Sequence, residues 1–218
     1  MTQKAWRWSL GGAALLLLAL PVAIFWIKTA PLAFYFSGSY PPGQAFYIMM
    51  RPAGHLAFTL LFLQITLGLH GRSLASLMQV RSLLELHKAM AIPTLGAAIL
   101  HPLLFACAGT LRVGHSTFQR TFFPNPTTNY WTWYFFFGAL ACYGMILGAL
   151  AAIIGPRLLP RGWRWVHALN YLSFGMAWYH CRATGAEVRE QPLEILYTLM
   201  AVAVAGMLAH RIYRLCRT

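Results

Sequence analysis

Six stretches of this chain run for about twenty residues with almost no charge, and no other sequence feature restricts a fold as tightly. They are residues 8–28, 51–70, 86–109, 130–154, 163–182 and 192–210. Hydrocarbon offers no water to main-chain N–H and C=O groups, so a crossing segment must close its hydrogen bonds within a helix or a sealed barrel. The runs are continuously apolar and do not alternate, which selects helices. Composition agrees: 59% of residues are apolar and 10% charged, where a soluble domain carries roughly a quarter charged. The expected fold is all-α. It is a polytopic membrane protein whose residues 1–218 form one domain, a bundle of six transmembrane helices in contact with lipid.

The net charge is +13, from 17 Lys and Arg against 4 Glu and no Asp. In a soluble chain this would suggest nucleic acid. Here the cations lie between the apolar runs, so they read as topology signals and headgroup contacts, and no nucleic-acid partner is expected. The first run follows Lys4 and Arg7. It is too long for the apolar core of a signal peptide and lacks a small-x-small cleavage site, so it reads as a retained span. With the N-terminus inside, 11 of the 17 cations fall on inner segments. The other six, Lys28, Arg51, Arg112, Arg120, Arg182 and Arg189, fall outside, so both termini are expected in the cytoplasm. Glu187, Glu190 and Glu194 then lie outside, between the fifth and sixth runs. The cysteines, Cys107, Cys142, Cys181 and Cys216, have no metal or C-x-x-C spacing and read as small apolar residues.

Two of the runs carry histidines near both ends. The third holds His87 and His101 in "HKAMAIPTLGAAILHP", and the fifth holds His167 and His180 in "HALNYLSFGMAWYH". Both runs are odd-numbered, so they cross in the same direction. A rise of about 1.5 Å per residue separates the histidines by roughly 21 Å on one and roughly 20 Å on the other. Two parallel helices therefore offer two histidine pairs, one at each depth. Polar groups in lipid are costly and point to function. Zinc wants three or four ligands close together, which two distant pairs do not supply. A tetrapyrrole brings four nitrogens of its own and needs only two axial ligands, which facing helices provide. The spacing thus reads as two haems stacked across a bilayer, with His87, His101, His167 and His180 as iron ligands. Six-coordinate iron has no open position, which suits electron transfer.

Helical azimuth tests this reading. Fourteen residues at about 100° leave an offset of about 40°, so His87 and His101 share a face. Thirteen leave about 140°, which either a bend or π-bulge near Gly175 or a different rotation of the two haems about their normals would absorb; Pro93 is expected to bend the third run. Gly96, Ala97, Ala98 and Gly175 lie between the histidines, where small residues admit a flat cofactor or a neighbouring helix. Asn170, Ser173 and His180 turn the fifth run towards the interior. Arg81, Lys88 and Arg164 stand at the inner level and suit haem propionates or lipid headgroups. His55 and His70, fifteen apart on the antiparallel second run, read as interfacial or propionate-contacting residues. His115 and His210 read as solvated or at the headgroups. "GMILG", residues 144–148, suits close helix packing, and "NYWTWYFFF", residues 129–137, reads as an outer aromatic belt.

The contexts "LHKAMAIPTLGAAILHP" and "WRWVHALNYLSFGMAWYH" resemble the ligand helices of the ferric reductase-like transmembrane domain. That family includes NADPH oxidases, ferric reductases and the haem-binding membrane subunit of the bacterial methionine sulfoxide reductase system. The resemblance covers about residues 50–210. It implies a six-helix bundle with two b-type haems, an inner one on His87 and His167 and an outer one on His101 and His180. It also implies a bacterial inner membrane. The chain departs from many family members in showing no Gly-rich dinucleotide fingerprint and no strand–helix alternation. The electron donor is therefore expected to be a separate flavoprotein or a quinol. The outer acceptor stays open among a ferric chelate, a partner protein and oxygen. The small methionine sulfoxide reductase subunit is nearest in length, but His87 occupies a position that is not histidine there.

Two other classes stand beside this one. A histidine-using transporter of metal ions or protons would need intramembrane carboxylates or a broken helix beside the histidines. A non-catalytic scaffold would need no histidine ladder.

Overall fold

A computed structural model describes residues 3–29, 31–74, 80–127 and 130–217. It is helical throughout, with no strand among the described residues. The long helices are α1 (Gln3–Lys28), α3 (Gln44–Leu74), α4 (Val80–Val113), α6 (Tyr130–Leu158) and α9 (Leu193–Leu215). Shorter ones are α2 (Leu32–Tyr35), α5 (Phe118–Phe122), α7 (Trp163–His167) and α8 (Leu169–Thr184), with a 3-10 turn at Glu187–Arg189.

Five helices are long and apolar enough to cross a membrane, over Gly11–Lys28, Gln44–Leu69, Leu83–Val113, Thr132–Leu158 and Leu193–Leu215. They correspond to five of the six expected runs. The run at 163–182 differs. It is split at Ala168 into α7 and α8, and α8 has 16 residues, about 24 Å at the helical rise. At the split, Tyr171 N–H donates to Ala168 C=O at 3.0 Å, an i+3 bond that tightens the turn. The break expected near Gly175 thus falls seven residues earlier, immediately after His167.

The prolines inside the long helices do not stop them. Pro93 and Pro102 both lie within continuous α4. A proline has no N–H for the carbonyl four residues back. For Pro102 that carbonyl belongs to Ala98, and the Cys142 thiol of α6 donates to it at 3.6 Å. A freed acceptor becomes an interhelical tie, which is how proline is accommodated in a membrane helix.

Helix α4 packs along α3, and α8 along α6; α3 also meets α1, α8 and α9. The centre is an aromatic stack, with Phe58 of α3 at 4.9 Å from Phe174 of α8 and 4.5 Å from Tyr197 of α9. Leu61, Ile65, Met145, Met200 and Val204 close around it. Large apolar side chains also point outward, Ile27 at 83% exposure and Ile92 at 78% among them. A chain this apolar outside is matched to lipid. Inside lipid the bundle is held by packing and polar ties, since lipid tails are as apolar as the core.

The connection between α8 and α9 and the first turn of α9 supply three carboxylates, and each binds a different helix. Glu187 pairs with Arg51 of α3, Glu190 with Lys28 of α1 at 2.6 Å, and Glu194 with Arg182 of α8 at 2.7 Å. At the same end Arg112 of α4 donates to Gln44 Oε1 of α3 at 2.5 Å. This is the carboxylate end of the bundle. The first residues of α1 and the last of α9 lie at the opposite, termini end.

Candidate functional site

The four central histidines meet as two pairs. The rings of His87 (α4) and His167 (α7) have centres 6.2 Å apart and planes at 72°. Those of His101 (α4) and His180 (α8) are 6.1 Å apart at 78°. The first pair lies towards the termini end and the second at the carboxylate end. Helices α4 and α8 do not pack backbone to backbone. The imidazoles face one another across a slot that α3 and α6 flank.

The separation discriminates between uses. An end-to-end N–H···N hydrogen bond of about 2.9 Å, with each nitrogen about 1.1 Å from its ring centre, would set the centres about 5.1 Å apart. Two imidazoles on one tetrahedral metal, with metal–nitrogen bonds of about 2 Å, would also give about 5.1 Å. The same bonds on opposite sides of one metal give roughly 6.2 Å. The observed 6.2 Å and 6.1 Å leave room for the last arrangement, and are also the spacing of ordinary edge-on ring contacts such as Phe135 with His180 at 6.3 Å. No group of three or more His, Cys, Asp or Glu able to hold a metal ion occurs among the described residues, so the pairs suit a group that brings equatorial ligands of its own.

Three of the rings are oriented from behind. Nδ1–H of His101 donates to the carbonyl of Met50 at 2.8 Å, that of His180 to Tyr134 at 2.8 Å, and that of His167 to Gly148 at 2.9 Å. A carbonyl only accepts, so Nδ1 carries the proton and Nε2 keeps its lone pair for a ligand bond. Metal-binding histidines are fixed in this way by a second partner. The acceptors lie on α3 and α6, not on the histidine helices.

Glycines on those helices make the approach possible. A Cβ on Gly54 would lie 2.9 Å from His101 Nδ1, and one on Gly138 would lie 2.8 Å from His180 Nδ1. Gly144 and Gly148 receive Ser173 and Asn170 of α8 at still shorter range. The "GMILG" motif is thus internal packing between α6 and α8. Gly68 faces His87 more loosely, at 3.9 Å.

Several expected site residues fall elsewhere. Gly96 and Gly175 are exposed, and a Cβ on either would meet nothing within 4 Å. Gly96 is about 180° around α4 from His87 at 100° per residue, so it lines the outside. Lys88 and Arg164 are exposed, and Arg164 lies over the Trp163 ring at 5.6 Å, beside His167. The side chains of Arg81 and His70 lie outside the described residues. His55 is buried within the bundle, 6% exposed, and shares a 2.7 Å hydrogen bond with Tyr197. The aromatic run reaches further inward than a belt. Tyr134 is buried and supplies the carbonyl for His180, whose ring lies 6.3 Å from Phe135. Asn170 and Ser173 do turn inward, with Asn170 donating to the His167 carbonyl at 2.9 Å. The four cysteines are free thiols.

Met50, Gly54, Gln64, Gly68, Tyr134, Gly138 and Gly148 are the supports that histidine spacing alone does not reveal. One signal was available: Gly54 and Gly68 are fourteen apart on an antiparallel helix, the interval between His87 and His101. Comparisons with protein-family models, with curated proteins and with solved structures return no match for this chain.

Proposed function

We propose that the chain is a di-haem b transmembrane electron-transfer protein, the membrane subunit of an oxidoreductase. One observation carries the reading: two histidine pairs at different depths, with ring centres 6.2 Å and 6.1 Å apart, that could each hold one haem. A haem supplies four equatorial nitrogens and a one-electron iron couple. The chain's own part would be to present His87 with His167 and His101 with His180, three of the four rings being held by a carbonyl at Nδ1 with Nε2 free. Rings held in this way reorganise little when charge arrives, which favours electron transfer over substrate binding.

The topology in this proposal has six crossings. Helices α7 and α8 together span 163–184, which is 22 residues and about 33 Å at the helical rise, enough for the hydrocarbon. The carboxylate end faces outward and the termini face the cytoplasm of a bacterial cell. Three of the six cations assigned to the outer side are held there by Glu187, Glu190 and Glu194, which accounts for their presence against the charge bias. Electrons enter from a flavoprotein or quinol at the inner pair and leave from the outer pair to a ferric chelate, a partner protein or oxygen.

A histidine-dependent transporter of metal ions or protons is the second reading, favoured by the helix break beside His167. It has less support, because the four Glu of the chain do not cluster with these histidines among the described residues. A reduced-minus-oxidised spectrum with haem-to-protein stoichiometry decides. About two low-spin b-type haems per chain support the first reading. None, from a host that makes haem, overturns it.

A further inference from the structure

The supports of the histidines on α4 and α8 follow a rule with one exception. An acceptor carbonyl is followed four residues later by a glycine that receives the ring: Met50 with Gly54 for His101, and Tyr134 with Gly138 for His180. Counting back four from Gly68, the glycine beside His87, reaches Gln64. There the device changes. The side-chain amide of Gln64 donates from Nε2 to the main-chain carbonyl of His87 at 2.9 Å. Gln64 Oε1 and His87 Nδ1 are both buried, and neither has a hydrogen-bond partner among the described residues. One is an acceptor. The other is a donor once Nε2 is committed to a ligand bond. A buried acceptor and a buried donor on two residues already in contact are costly apart and favourable when joined.

We infer that Gln64 is the positioning residue of His87, with its Oε1 taking the Nδ1 proton through one bridging water. The inference rests on the two-haem reading. The pair is polar and buried, the setting in which a single water is retained. Gln64 then grips His87 twice, at the main chain through Nε2 and at the ring through Oε1. His101, His180 and His167 lean on carbonyls that belong to helix backbones. His87 leans on a replaceable side chain and an exchangeable water. An acceptor at Nδ1 makes an imidazole more electron-rich and favours oxidised iron, so residue 64 sets the inner potential.

The alternative is that Gln64 merely ties α3 to α4 through its Nε2 donor. Two substitutions in the full-length protein separate these roles. Gln64→Leu removes donor and acceptor; Gln64→Glu removes the donor and strengthens the acceptor. The readouts are haem content, the low-spin electron paramagnetic resonance signal and the midpoint potential of each haem, the inner one identified by its loss in His167→Ala. Gln64→Leu is expected to raise the inner potential and lower inner occupancy. Gln64→Glu is expected to lower that potential with occupancy kept, and the outer haem stays unchanged in both. Equal inner potentials in the two variants overturn the inference while the di-haem reading stands. If Gln64→Leu does not fold, an unshifted inner potential in Gln64→Glu overturns it alone. Wild-type protein without haem overturns both.

Discussion

At the carboxylate end, His101 and His180 each give Nδ1–H to a carbonyl on a flanking helix, and each ring lies where a glycine side chain would have been. At the other end only His167 has such a carbonyl, and it stands immediately before the break at Ala168. Aromatic rings wall the first pair, with Phe135 beside His180 and Phe105 stacked on Phe135 at 5.5 Å. Three ion pairs tie the helices together just beyond it. The contrast teaches that a repeated histidine pair does not imply a repeated environment. The rigidity of each pair is decided by helices that carry none of the four histidines.

The largest test of this contrast is ligand removal. His101→Ala or His180→Ala is expected to reduce haem from about two to about one per chain, taking the pairs as proposed, with the outer signal gone. His87→Ala and His167→Ala do the same to the inner signal. Loss of both haems from a single substitution would show that the ends are one cooperative unit.

The next test compares two glycines on one helix. Gly54→Ala puts a methyl 2.9 Å from a ring nitrogen, whereas Gly68→Ala puts one at an ordinary 3.9 Å contact. Overpacking of the first kind costs about 1–3 kcal/mol, so Gly54→Ala should lower the melting temperature and displace the outer haem. Gly68→Ala should do neither. Equal behaviour would break the distinction between a tight end and a loose one.

The ion pairs give smaller and graded effects. Glu187 is almost buried, at 7% side-chain exposure, and Arg51 is at 25%. Arg51→Ala leaves a buried carboxylate unpaired, a change worth about 3 kcal/mol where both charges are withdrawn from water, and less here because Arg51 is partly solvated. Thermal denaturation of Arg51→Ala against Lys28→Ala measures the difference, since the Lys28 pair is exposed and surface pairs contribute little.

The smallest effect is that of pH. The hydrogen bond from Lys28 holds the Glu190 carboxyl below its ordinary range. A depressed carboxyl contributes stability that is present above its unfolded pKa, about 4.3, and is lost as pH falls through the folded value. Melting temperature should therefore be flat in this contribution from pH 8 down to about pH 5, and any loss below about pH 4 should shrink in Glu190→Gln.

Much of this was legible from the chain. Five spans follow from apolar length alone, and the histidine pairing follows from matched intervals on two parallel runs. The break in the fifth run could not be placed, because it lies at Ala168, a residue that favours helix by every local measure. Gly96 and Gly175 were misplaced because lying between two ligands along a helix differs from sharing their face, a distinction a 100° step per residue already contains. The aromatic run was half read: its composition indicates a belt, but the buried Tyr134 and its carbonyl depend on where α8 docks. The carbonyl acceptors could not be read at all, since every residue has one and only packing selects Met50, Tyr134 and Gly148.

The break at Ala168 bears on biogenesis. On the proposed topology, the segment holding half of the ligands is the one with the weakest claim to enter a bilayer alone. It is interrupted and carries His167, Asn170, Ser173 and His180. Helix α6, strongly apolar and already lined with Gly138, Gly144 and Gly148 for these side chains, is made just before it. On that topology the two would enter as a hairpin, with the polar groups sheltered against α6. The histidine ladder would then close only after α4 and that hairpin had met, and a chain stalled before α7 leaves the ribosome carries only one histidine of each pair.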